Sequence, residues 1–183
     1  MKLMLTDVRL AFPSLFKAQA FEGSGAPSFG ATLLLPPNHK AIAELKKGFA
    51  TIAKEKWGTK ADAVLKSLTA TDKLCLHNGD TKEQYDGFTG NMFISARSKV
   101  RPLILNTDKS PLTEEDGKPY SGCFVNASIE LWAQDNKFGK RINAQLRGIQ
   151  FLRDGDAFAG GGSPASDDEF ADLATETEDD LTN

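Results

Sequence analysis

Between positions 123 and 132 the chain reads CFVNASIELW, and its side chains alternate in character without a break. Cys123, Val125, Ala127, Ile129 and Leu131 fall on one side; Phe124, Asn126, Ser128, Glu130 and Trp132 fall on the other. A period of two is the signature of a strand with one buried face. The pattern recurs in NMFISARSK, where Met92, Ile94 and Ala96 alternate with Phe93, Ser95, Arg97 and Lys99. It recurs again in RINAQLR, where Ile142, Ala144 and Leu146 alternate with Arg141, Asn143, Gln145 and Arg147. Gly148 is placed to hold a bulge that returns Ile149 and Phe151 to the core side.

The rest of the chain supplies two more strands and a helical segment. LMLTDVRLAF alternates Met4, Thr6, Val8, Leu10 and Phe12 with Leu3, Leu5, Asp7 and Arg9, and predicts a first strand. EGSGAPS is a breaker-rich connection, and FGATLLLP predicts a second strand stopped by Pro36 and Pro37. Asn38 is placed to cap a helix over HKAIAELKKGFATIAKEKW, with Ile42, Leu45, Phe49, Ile52 and the stem of Lys56 on one face. Gly48 weakens that helix, Gly58 ends it, and KADAVLKSL predicts a shorter second helix. LCLHNGDTKEQYDGFTG is polar and turn-rich, with Tyr85 and Phe88 inside it. NMFISARSKVRPLILN breaks near Pro102, and TDKSPLTEEDGKPYSG is a long polar loop containing Tyr120. The order is strand, strand, helices, strands. That order predicts a mainly β (α+β) fold, a small five-stranded antiparallel barrel with a helical insertion. A parallel sheet would need a helix after nearly every strand.

Charge divides the chain at residue 153. All 22 basic residues lie in 1–153, whereas ten of the 25 acidic residues lie from Asp154 onward. The body therefore carries a formal +7 and the last thirty residues −10. Residues 1–153 are expected to form one domain large enough to bury its own core. Residues 154–183 are expected to be a Gly-rich linker and a disordered acidic tail, since they carry few large apolar groups. A basic body with an acidic tail points to a polyanionic partner. Cys75 and Cys123 are read as free thiols in a reducing compartment. No apolar stretch approaches the length of a membrane span, and Asp7 and Arg9 arrive too early for a signal peptide.

Enzyme chemistry finds little support. The two histidines are His39, at a helix start and expected to be exposed, and His77. Cys75 and His77 share one strand face, but no second ligand pair stands at zinc-like spacing. A Cys75–His77 nucleophile is equally thin, because most such thiols are buried and inert. The Gly run at 160–162 precedes acidic sequence rather than a helix, so it is no phosphate loop. Asp80, Glu83 and Asp86 read as a solvated loop, and Asp7 and Glu130 do not cluster as a nuclease metal site would require. No catalytic residue, metal or cofactor is expected.

The outward faces of the three alternating strands mix aromatic rings, amides and cations. Unstacked bases need flat apolar partners, and the phosphates between them need cations. Phe93, Arg97 and Lys99 form one such set; Trp132, Lys137, Phe138, Lys140 and Arg141 form a second.

The segments LTDVRLAFPSLF, KAIAELKKGFATIAKEKWG, NMFISARSKVRP and GGGSPASDDEF resemble a family of phage-encoded single-stranded DNA-binding proteins. The family comes from phages of enterobacteria and was formerly catalogued as a domain of unknown function. The resemblance covers nearly the whole chain. It implies an OB-fold, a five-stranded barrel with a helical insertion, with an aromatic and basic DNA-binding face and an acidic C-terminal tail. It also places the protein in the cytoplasm of the infected host. Related tails commonly finish on an aromatic residue, but this chain ends Asp180-Leu181-Thr182-Asn183, with Phe158 and Phe170 as its tail aromatics.

The expected function is sequence-tolerant binding of single-stranded DNA in phage replication, recombination or repair. Phe93, Arg97, Lys99, Trp132, Lys140, Arg141 and Arg147 are the expected main face, with Tyr85, Phe88, Tyr120 and Phe138 as further candidates. The tail would compete with DNA for the groove in cis and recruit replication or recombination proteins. Two rivals remain open: a scaffold whose acidic tail mimics DNA to occupy a host enzyme, and a metal-dependent nuclease.

Overall fold

The computed structural model describes residues 1–20 and 25–159. The Gly-rich run and the acidic tail that follow lie outside the described residues. The described chain forms β1 (Lys2–Gln19), β2 (Ser28–Leu35), α1 (Lys40–Trp57), α2 (Ala61–Ala70), β3 (Leu76–Asn78), β4 (Met92–Ser98), β5 (Leu103–Leu105), β6 (Phe124–Asn136) and β7 (Gly139–Arg153).

Five of these strands close a barrel in the order β4-β2-β1-β6-β7. Every neighbouring pair is antiparallel except the closing one. There β4 runs parallel to β7, with Ala96 opposite Ala144 and Arg97 opposite Gln145. The parallel closing contact has a geometric reason. Directions cannot alternate around an odd number of strands, so one contact must be parallel. The short β3 covers the first half of β4, with His77 opposite Phe93. β5 extends the β7 edge, with Leu103 opposite Gly148.

The inner face follows the alternation. Cys123, Val125, Ala127, Ile129 and Leu131 are buried, as are Ile94, Ala96, Ile142, Ala144 and Leu146. The ladder shifts where Ser128 faces Gly148 and Ile129 faces Leu146, and beyond this bulge Ile149 and Phe151 return to the core.

β1 departs from simple alternation. Its register against β6 jumps between Leu5 and Val8, and Asp7 adopts a positive φ of 55°. Leu5 and Val8 therefore both point inward, despite their odd spacing. The Asp7 amide donates to Asn126 Oδ1 at 3.0 Å and its carboxylate pairs with Arg153 at 2.6 Å, which holds the bulge. A second irregularity follows, where Phe12 has φ 46° ahead of Pro13. Met4 and Phe12 consequently face outward instead of sharing the side of Val8 and Leu10.

α1 seals one side of the barrel with Leu45, Phe49, Ile52 and Ala53; Lys56 is exposed rather than part of that face. Helix and barrel approach closely at Gly48, since a Cβ there would lie 2.8 Å from Leu131 Cδ1. The helix cap is His39, not Asn38. His39 Nδ1 accepts from the Ala41 amide at 3.1 Å while its Nε2 lies 2.9 Å from the Thr6 carbonyl, so the ring is half-buried and bridges α1 to β1.

Cys75 and Cys123 are buried free thiols. Burial pushes Cys75 up to about 12 and Cys123 up to about 11, so both stay neutral at physiological pH. A thiol-specific reagent at neutral pH should therefore label neither cysteine in the native protein on the timescale at which it labels both in denaturant. Rapid stoichiometric labelling of the native chain would contradict this.

Candidate nucleic-acid interface

A groove crosses the outer face of the barrel in three joined clefts. The first, 660 Å³, is lined by Phe12, Lys82, Tyr85, Phe88, Phe93 and Tyr120 and ends at Ser95 and Arg97. The second, 610 Å³, starts from Ser95 and Arg97 and runs past His77 to Trp132, Gln134, Arg141 and Asn143. The third, 460 Å³, is framed by Arg97, Lys99, Trp132 and Gln145. Arg97 lines all three, so it stands at the junction of an aromatic end and a cationic end.

The parallel β4–β7 contact builds this junction. It sets Arg97 opposite Gln145 and, through the β6–β7 ladder, brings Trp132 and Asn143 onto the same outer surface. Trp132 is 46 % exposed, which leaves its ring available for stacking.

The aromatic end is layered. Phe12 and Tyr85 form its exposed layer, 41 % and 42 % exposed, with ring centroids 5.0 Å apart in an edge-on arrangement. Phe88 lies beneath them, 6.0 Å from Phe12 and 5.8 Å from Tyr85. Phe93 lies deeper still, 5.2 Å from Phe88 and only 7 % exposed. Phe88 and Phe93 thus join a second apolar cluster with Ala11, Leu34 and Phe158 on the outside of the barrel. The expectation of an open Phe93 is corrected: its parity is outward, but the 79–91 loop folds over it.

The remaining expected residues divide. Lys99 and Arg141 line the groove. Lys140 points the other way, into a separate cleft beside α2 with Lys60 and Lys73. Arg147 stands outside the three clefts and donates to Glu130 Oε2 at 2.7 Å, a bond that lowers the Glu130 carboxyl below its ordinary value. Phe138 is 78 % exposed at the β6–β7 turn, with Lys137 Nζ 5.1 Å from its ring centre, and does not line the clefts. Tyr120 is fixed by its hydroxyl, which donates to Asp154 Oδ1 at 2.7 Å; desolvation first, and this bond second, raise its phenol above the usual value.

Two ring-bearing groove residues, Phe12 and His77, escaped the sequence reading. Phe12 was assigned with Val8 and Leu10, although a Phe-Pro pair inside a strand is a signal for a local break in the ladder. His77 lines the middle cleft, with its ring 5.0 Å from Phe93 and its Nδ1 2.7 Å from Asp72. Cys75 shares that cleft, as their common parity suggested. Among the described residues no group of three or more His, Cys, Asp or Glu side chains could hold a metal ion.

Comparison with known proteins agrees with the architecture. The solved single-stranded DNA-binding protein from bacteriophage Enc34, in complex with ssDNA, superposes with a TM-score of 0.71 at 27 % identity, covering 85 % of this chain and 88 % of that one. The OB-fold barrel is thereby established. gp2.5, a single-stranded DNA-binding protein encoded by bacteriophage T7, shares the fold at 11 % identity and a TM-score of 0.56, over 97 % of each chain. Putative protein p50 of Acyrthosiphon pisum secondary endosymbiont phage 1 is 47 % identical over 184 residues, 99 % of this chain and 98 % of that protein. The family model built on the Enterobacter phage Enc34 ssDNA-binding protein matches residues 1–182. By sequence and fold this chain belongs to the Enc34 single-stranded DNA-binding protein family.

Proposed function

We propose that the protein binds single-stranded DNA without strong sequence preference, along the groove that Arg97 joins. Bases stack on the exposed Phe12–Tyr85 layer and on Trp132. Arg97, Lys99 and Arg141 meet the phosphates between them. The observation that carries this reading is the continuity of the groove, with Arg97 shared by all three of its clefts. Amides such as Asn143 and Gln145 can bond to bases of any identity, which fits sequence tolerance. The acidic tail, tethered to the body, competes for the same cations at a millimolar effective concentration and recruits replication or recombination proteins when DNA displaces it. The setting is phage DNA replication, recombination or repair in the cytoplasm of the infected host.

The test is fluorescence anisotropy with labelled oligo-dT and a matched duplex over a salt series, on the full chain and on a 1–159 truncation. The expected result is tighter binding to the single strand and a logarithmic salt slope of about −0.7 per phosphate contacted. The truncation should gain affinity, most at low salt. Equal preference for duplex would refute the groove. Failure of both proteins to bind would favour the scaffold reading.

A further inference from the structure

β7 ends at Arg153, but the chain does not leave the barrel there. Asp154 and Gly155 bond the Tyr120 hydroxyl at 2.7 and 3.2 Å. Arg9 Nη2 donates to the Asp156 carbonyl at 2.8 Å, and its guanidinium lies 4.3 Å from the centre of the Phe158 ring. The Phe158 amide donates to the Ser121 carbonyl at 3.1 Å, and the Ala159 amide to Asp86 Oδ2 at 3.1 Å. Residues 154–159 therefore pack against the barrel beyond the end of β7.

The Phe158 ring is buried with Phe88, Phe93, Leu34 and Ala11. It is absent from the groove lining, yet two of its partners, Phe88 and Phe93, line it. The 84–88 loop closes over the ring. Gly87 has φ +82°, and a Cβ there would lie 2.6 Å from Phe158 Cζ. Phe158 thus underlies the aromatic layer from behind, while Asp86, on the same loop as Tyr85, is tied to the next residue of the strap.

We propose that residues 154–159 are a strap and Phe158 a positioning residue, which wedges beneath the 84–88 loop and holds Tyr85, Phe88 and Phe12 in stacking geometry. The inference rests on the groove reading above. Without the wedge the loop loses its apolar floor, and Tyr85 must be ordered by the DNA at the cost of affinity.

The experiment uses the full chain and oligo-dT. Phe158→Ala is expected to weaken binding about tenfold, within the range of one stacking contact. Phe158→Leu should restore binding to within about threefold of wild type, because it refills the wedge. In a Tyr85→Ala background, Phe158→Ala should add almost no further loss, since both act through one platform. Asp86→Ala provides a variant at an exposed position, where folding is not at risk. It removes a negative charge near the groove, so charge alone predicts tighter binding; loss of the strap bond predicts binding about threefold weaker. The strap is overturned if Phe158→Ala binds like wild type, if its loss adds fully to that of Tyr85→Ala, or if Asp86→Ala binds more tightly. Failure of the groove reading is distinct: wild type itself would then not bind the single strand.

Discussion

Replacing Arg97 with alanine is expected to weaken single-strand binding by about 10- to 100-fold at low salt, whatever the base composition. A hydrogen bond to a charged partner contributes about 1.5–3 kcal/mol, which corresponds to roughly that range. Arg97 lines every cleft of the groove, so no register of the strand avoids it. Loss of one phosphate contact should also make the salt slope shallower by about 0.7. Oligo-dT, oligo-dA and a mixed sequence titrated at four salt concentrations would check both parts. A loss confined to one base, or an unchanged slope, would show that Arg97 reads bases or only shapes the barrel. Arg147→Ala serves as a contrast. That guanidinium lines none of the three clefts, so its removal should alter binding far less.

The second large effect belongs to the exposed rings. Tyr85→Ala and Trp132→Ala should each cost about 1–3 kcal/mol of binding, the usual worth of one stacked base. The two rings line no common cleft among those described, so their losses should add. Phe12→Ala should behave differently, because Phe12 contacts Tyr85 edge-on at 5.0 Å. The Phe12/Tyr85 double variant should lose less than the sum of the singles. Full additivity for that pair would mean that each ring holds its own base. Circular dichroism would confirm that the variants keep the barrel, which is expected since these rings lie outside its core.

Much of the architecture was legible beforehand. A barrel interior admits side chains from one face of each strand, so CFVNASIELW and RINAQLR carry its period of two in plain view. The helical segment was equally readable, because Leu45, Phe49 and Ile52 recur at the spacing of one helix face. Outward placement of Arg97, Trp132 and Arg141 followed from the same parity.

Parity, however, assigns a side and not an environment. Phe93 points outward, yet it is covered, because Phe88 comes over it from a loop with no period to read. Arg147 points outward too, and finds Glu130 on the neighbouring strand. Lys140 and Arg141 are adjacent in sequence but open onto different clefts, since successive strand residues face opposite ways.

By itself the amino-acid sequence determined the five barrel strands, the inserted helices, the inward faces and the separation of a basic body from an acidic end. Each of these rests on neighbours a few residues apart. Tertiary structure alone decided the bulge at Asp7, the exposure of Phe12, the cover over Phe93 and the docking of Phe158. These depend on partners such as Arg153, Tyr85, Phe88 and Arg9, most of them 70 to 150 residues away in the chain. Closure of the barrel brings such partners within van der Waals reach, and local periodicity carries no record of that closure.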